Sequence, residues 1–258
     1  MTVRVFSALV ACVFGMLTPN AGAESITIAV ASNFTTTLHD LAVRFEAESG
    51  HAVRVSSAST GVLYAQIANG APFDVLLAAD AERPRLLEAD GHGVAGSRFT
   101  YAIGSLVLWS RNPALAGANC RARLENLGQQ RLAIANPDTA PYGAAARDSL
   151  MGLDLWEHVQ AQLVVGRNIT QTLQFVASGN ASLGFIAGSQ MLDKRLPEAT
   201  CSWPVPPELH NAIEQQAILL QRAADNSVAA DFLSYLRNTA GRTIIERNGY
   251  TVPDAVVP

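Results

Sequence analysis

Short β-rich runs and amphipathic helical runs alternate along this chain, and they do so in two separate series. Residues 25–30 read as a strand from their β-branched content and length. Phe34, Leu38, Leu41, Ala42 and Phe45 then recur at helical spacing until Gly50 stops the helix. A second strand follows at 51–55, a short helix at 62–68 closed by Asn69-Gly70, and a third strand at 73–78, after which Asp80 stands where it can cap a helix to about 88. Residues 100–109 form a long β-rich run broken only at Gly104-Ser105. The alternation then restarts: a strand at 131–135, helices at 143–151 and 155–163, a strand opening at 163, a helix at 169–177 behind Asn168 and a strand at 183–187. Beyond a passage containing Pro197, Pro204, Pro206 and Pro207 come a strand at 216–221 and helices at 227–237 and 240–247.

Strand–helix alternation implies an α/β fold, a mainly parallel sheet with helices on both faces. Two such series, linked through extended passages near 100–109 and 214–221, predict two lobes joined by a two-segment hinge around a cleft. The boundaries expected are residues 24–104 with 217–258 for the first lobe and 105–216 for the second.

One stretch is membrane-like, the apolar run from Val5 to Leu17 behind Arg4, and it ends in Ala21-Gly22-Ala23. It is short for a bilayer span and reads as a cleavable secretory leader over residues 1–23, which places the mature chain in the periplasm. Leu9-Val10-Ala11-Cys12 superficially resembles a lipoprotein cleavage box, but the apolar run continues past it. Charged residues make up 16% of the chain and apolar ones 49%, which argues against disorder. The net charge of -4 carries no basic face for nucleic acid. Beyond the leader only Cys120 and Cys201 remain, too few for a disulfide scaffold or a metal cluster. They are read equally well as a bridge or as two separate buried thiols.

Gly91-His92-Gly93-Val94-Ala95-Gly96 satisfies the dinucleotide pattern but follows a helix and leads into a strand, the reverse of what phosphate binding requires. The five histidines are scattered without metal-ligand spacing. More telling are four strand-to-helix junctions: Ala31-Ser32-Asn33, Ala58-Ser59-Thr60-Gly61, Ala140-Pro141-Tyr142-Gly143 and Arg167-Asn168-Ile169-Thr170. In a parallel sheet such junctions gather at the C-terminal ends of the strands. There the first turn of each helix offers unpaired N–H groups and a partial positive charge. The side chains are short neutral donors, and Arg167 is the single formal cation. Such a set suits a fully deprotonated, dehydrated anion better than a protonated phosphate, whose proton wants a carboxylate. Taken singly, Ser32, Asn33, Thr60 and Asn168 also read as ordinary helix caps.

At these junctions the chain resembles the periplasmic molybdate-binding proteins of the ModA family, the receptors of molybdate ABC importers. The resemblance spans the mature chain. It is carried by Ala31-Ser32-Asn33-Phe34, by Ser59-Thr60-Gly61 with Tyr64-Ala65-Gln66-Ile67, and by Asn69-Gly70-Ala71-Pro72-Phe73-Asp74. Further matches are Gly96 to Gly104, Asn136-Pro137 with Ala140-Pro141-Tyr142-Gly143, and Leu183-Gly184-Phe185-Ile186-Ala187.

The resemblance implies a type II periplasmic binding protein whose oxyanion shell comprises Ser32, Asn33, Thr60, Tyr142 and Ile169, the last two donating through backbone N–H. It implies molybdate or tungstate as ligand, an ABC permease at the inner membrane as partner, a monomer, and no catalytic residue, cofactor or free metal cation. Two departures from the family pattern stand out. Thr60 replaces a serine common among relatives, and Ala187 occupies the position where one branch carries a tyrosine hydroxyl, leaving Asn33 as the expected source of the extra donor. The competing expectations are a receptor for another oxyanion such as sulfate, and an exported α/β hydrolase using Ser32 or Ser59. None of the four junctions contains the histidine base that a hydrolase needs. Charged residues such as Glu82 and Arg83 are read as solvated surface.

Overall fold

The computed structural model describes residues 23–253, so the leader expected at 1–23 lies almost wholly outside the described residues. The first series comprises β1 (Ser25–Ala31), α1 (Thr35–Ser49), β2 (Ala52–Ala58), α2 (Thr60–Ala68), β3 (Val75–Leu77), α3 (Glu82–Ala89) and β4 (Phe99–Gly104). The second runs β5 (Leu106–Ser110), α4 (Cys120–Glu125), β6 (Leu132–Ala135), α5 (Pro141–Gly152), α6 (Trp156–Val159), β7 (Leu163–Gly166), α7 (Ile169–Ala177), β8 (Leu183–Ala187) and β9 (Cys201–Pro204). The chain ends with β10 (Ile213–Leu219), α8 (Ser227–Arg237) and α9 (Thr239–Arg247).

These strands build two five-stranded sheets of the same topology, ordered β2-β1-β3-β10-β4 and β7-β6-β8-β5-β9. In each sheet one strand runs against the rest: β10 is antiparallel to both β3 and β4, and β5 to both β8 and β9. Each reversed strand has just crossed from the other lobe, β5 directly after β4 and β10 after β9. The β4–β5 break falls at Ser105, within the interruption read from the sequence. A bridge between Ile103 and Thr251 brings the last described turn back against β4, which is what positions Tyr250.

Both faces of each sheet are covered. In the first lobe Phe34, Leu38, Phe45, Phe232 and Leu236 pack one face and Leu63, Ile67 and Leu87 the other. In the second, Leu124, Tyr142, Ala146 and Leu150 pack one face and Leu173 and Val176 the other. The second lobe also contains a disulfide between Cys120 on α4 and Cys201 on β9, across 81 residues of chain, which resolves the two readings of those cysteines.

Several boundaries differ from the sequence reading, each for a local reason. Helix α5 starts at Pro141 because proline lacks the N–H that the first turn leaves unused. The helix expected over 155–163 is one α turn followed by the 3-10 turn Gln160–Gln162. Strand β10 begins at Ile213, and its polar pair Gln215-Gln216, which interrupts the apolar pattern, coincides with an irregularity in its pairing. The glycines at 91–96 form a turn: Gly91 and Gly96 have φ of +75°, and Gly93 bridges to Leu220.

Candidate functional site

Ser32, Asn33, Thr60, Tyr142 and Ile169 line one small cavity between the lobes, together with Ser59, Ala79 and Pro141 among others. All five are buried. The parallel strands bring them there: β1 and β2 end at Ala31 and Ala58, and β6 and β7 at Ala135 and Gly166. At the first junction the 3-10 turn Ser32–Phe34 precedes α1. Thr60, Tyr142 and Ile169 stand in the first turns of α2, α5 and α7, where an α-helix leaves its N–H groups without intrahelical partners.

Helix α5 reaches the cavity because residue 143 is glycine. A Cβ there would lie 2.2 Å from the Ala135 carbonyl oxygen, so any side chain would push the helix off the end of β6. The cavity measures about 10 Å³, near the lower limit for holding a single water.

The side chains sort into three kinds. Thr60 Oγ1 accepts from the Ala79 N–H at 3.0 Å, which leaves its own proton to donate. Ser59 Oγ is buried with no hydrogen-bond partner in the structure. An unpaired buried hydroxyl costs about 1–3 kcal/mol, which makes Ser59 a donor in waiting that the sequence reading left outside the shell. Asn168 behaves as a cap: its Oδ1 accepts from the Gln171 N–H at 2.9 Å. Asn168 and Arg167 line not the small cavity but a larger groove of about 840 Å³ that adjoins it and shares Ser32 and Asn33 with it.

Asn33 departs from expectation. Its Nδ2 donates to Gln215 Oε1 at 2.8 Å and to the Tyr250 hydroxyl at 3.1 Å, and the Tyr250 hydroxyl donates to the Asn33 carbonyl at 2.8 Å. A carboxamide nitrogen has two protons, and both are engaged away from the cavity. The extra donor assigned to the Asn33 side chain is therefore corrected: what Asn33 can offer a ligand is its backbone N–H. The Tyr142 hydroxyl likewise points back to the hinge, 3.3 Å from Gln215 Nε2. Burial holds the Tyr142 phenol well above its ordinary pKa and pushes Tyr250 up to about 12. The cavity wall thus carries no ionised side chain at neutral pH, and no histidine lines it.

Beside the cavity the lobes touch directly. The Gly61 N–H donates to the Thr139 carbonyl at 2.8 Å, and the Thr170 hydroxyl to the Ser32 carbonyl at 3.1 Å. A Cβ on Gly61 would fall 3.0 Å from both the Cα and the carbonyl oxygen of Thr139, so glycine permits this approach. Arg83, read as a solvated charge, instead donates to the Asp138 carbonyl across the cleft at 3.1 Å while paired to Asp80 at 3.0 Å. Asp80 holds that guanidinium although burial raises its carboxyl above the usual range.

Two α/β lobes of one topology, joined by paired crossings and meeting at a cavity walled by helix N-termini, define a periplasmic-binding-protein fold. The model of the bacterial extracellular solute-binding proteins matches residues 26–251. The molybdate-binding protein ModA of Azotobacter vinelandii is 45% identical over 236 residues, covering 92% of this chain and 93% of that protein. Its Rhodobacter capsulatus counterpart is 40% identical over 252 residues, 96% of each chain. The solved structure of the Azotobacter vinelandii periplasmic molybdate-binding protein superimposes with a TM-score of 0.82 at 38% identity, covering 88% of this chain and 99% of that one. The chain belongs to the bacterial extracellular solute-binding proteins and, within them, to the ModA family.

Proposed function

We propose that this chain is an exported receptor that closes its lobes on molybdate, and on tungstate by the same shell, and delivers the anion to an ABC permease at the inner membrane. The observation that carries the reading is the interlobe cavity itself, small, free of ionised side chains and rimmed by helix first turns from both lobes. Relatives at 45% and 40% identity are molybdate-binding proteins. In this reading Asn33 and Ile169 donate through backbone N–H, Tyr142 does the same from α5, and Ser32 and Thr60 add their hydroxyls. Ser59 joins them, because a deprotonated oxygen is the acceptor its hydroxyl lacks. The receptor works in the periplasm as a monomer and breaks no bond.

Specificity follows from fixed donors in a tight cavity. A smaller tetrahedral anion such as sulfate cannot meet donors on both lobes at once and leaves some of them buried and unpaired. The hydrolase alternative gains nothing from the geometry, since a serine nucleophile needs a base in hydrogen-bond reach and Ser59 Oγ has no partner.

A thermal-melt panel with molybdate, tungstate, sulfate, phosphate and no anion tests the reading. Ligand at about a thousand times its Kd adds roughly 4 kcal/mol, an upward shift of about 8–16 °C at this size. A shift with sulfate or phosphate in place of molybdate and tungstate would overturn the ligand, and no shift with any anion would overturn the function.

A further inference from the structure

We propose that Gln215 is a positioning residue for the anion site, holding the two halves of its wall in register across the hinge; the inference rests on the receptor reading above. Gln215 is wholly buried on β10, the returning crossing strand. The pairing of β10 with β4 slips here, Gln215 opposite Ala102 and Gln216 opposite Thr100, so Tyr101 is skipped. Such bulges re-aim side chains and cluster beside functional sites.

The carboxamide of Gln215 is used at both ends. Its Oε1 accepts from Asn33 Nδ2 at 2.8 Å and from the Tyr101 hydroxyl at 3.2 Å, and its Nε2 donates to the Tyr142 hydroxyl at 3.3 Å. Asn33 belongs to the first lobe's wall and Tyr142 to the second's, so one side chain bonds to cavity residues of both lobes. The outgoing crossing makes room for it. A Cβ on Gly104 would lie 2.1 Å from the Tyr142 hydroxyl and 2.9 Å from Gln215 Nε2.

The bond to Asn33 lies within the first lobe, whereas the bond to Tyr142 spans the two. Parting the lobes breaks the second and keeps the first, so Gln215 favours the closed arrangement over the open one. Only such a difference between states shifts a population. The phenols around it are neutral, so the cluster places no charge beside a bound dianion.

The test compares the full mature protein with Gln215→Leu, Gln215→Glu, Tyr142→Phe and the Gln215→Leu/Tyr142→Phe pair, by calorimetric titration with molybdate at pH 6–9. Gln215→Leu is expected to raise Kd roughly 5–30-fold, the worth of a buried polar bond lost. Because Gln215 acts on the second lobe through Tyr142, the double variant should be weaker than Gln215→Leu by less than Tyr142→Phe is weaker than the parent. Gln215→Glu keeps the shape and the acceptor, so its affinity should approach the parent's while the carboxyl is protonated. It should then fall as pH rises and a carboxylate forms behind the wall of the anion site, while Gln215→Leu follows the parent's pH profile. No oxyanion binding by the parent overturns the receptor reading and this inference together. Parent binding with an unchanged Kd in Gln215→Leu overturns this inference alone. Should Gln215→Leu fail to fold, a Gln215→Glu profile parallel to the parent's overturns it.

Discussion

The two lobes share a strand order and a cavity, yet they offer it different chemistry. The first lobe brings hydroxyls, those of Ser32, Ser59 and Thr60, on short side chains at the ends of β1 and β2. The second brings main chain. The Tyr142 phenol turns back to Gln215, and the Ile169 side chain is buried in the core of its own lobe. The contacts that close the cleft beside the cavity run both ways instead: the Gly61 N–H and Arg83 of the first lobe donate to carbonyls of Thr139 and Asp138 in the second, and the Thr170 hydroxyl of the second donates to the Ser32 carbonyl of the first. A site built this way has one face that point mutations can tune and one that only a change to the backbone can reach.

The lobes also differ in how they are tied, and the largest expected effect tests that. In the second lobe Cys120–Cys201 closes a long loop. The first has instead an ion pair between buried Asp74 and Arg222 at 2.7 Å. Replacing both cysteines by alanine is expected to cost about 2–4 kcal/mol of stability, read as the denaturation midpoint without ligand. Molybdate affinity should stay within a few-fold, because neither cysteine lines the cavity. A large loss of affinity would show that the tie shapes the site as well as the lobe.

Next in size is the chemistry of the two faces. Thr60→Ala should weaken molybdate binding by about 1.5–3 kcal/mol, as expected for a hydrogen bond to a charged partner. On the other face Ile169→Ala should leave affinity nearly unchanged, whereas Ile169→Pro should cost about as much as Thr60→Ala. Proline is tolerated at a helix's first position, so the change removes the N–H while sparing the helix. Titration calorimetry on the three variants decides, and equal losses for Ile169→Ala and Ile169→Pro would break the division between side-chain and main-chain recognition. The smallest effect belongs to the partly exposed cross-cleft contact. Arg83→Ala should weaken binding by no more than about 1 kcal/mol, appearing in stopped-flow traces as faster release with an unchanged association rate.

Much of this molecule was legible from residue order. Helix α7 starts where Asn168 caps it, and β8 and α8 fall where their apolar patterns begin and end. Residues at four separate junctions were expected near one another because parallel strands deliver their ends to one edge of each sheet, and residues from all four line one cavity. What stayed hidden depends on burial and on partners distant in sequence. Strand β9 lies within the proline-rich passage, and α4 is only six residues long, too short for periodicity to register. Asn33 reads as a ligand donor until Gln215, 182 residues away, is seen to accept from it. Ser59 stays outside the expected shell until its buried hydroxyl is found without a partner. The polar pair Gln215-Gln216 inside a β-rich run was the visible mark of the hinge cluster, since amides inside a core are rarely placed there for packing.

The disulfide also bears on when the two lobes become equally firm. The pairing of Asp74 with Arg222 forms in any aqueous compartment, whereas Cys120 and Cys201 join only where thiols are oxidised. In a reducing cytosol the first lobe has its tie and the second lacks the loop closure. The second lobe is then the looser body, and it opens more readily to a protease or a chaperone. Oxidation removes that asymmetry, so a chain that has met an oxidising compartment carries a covalent record of it in one lobe and none in the other.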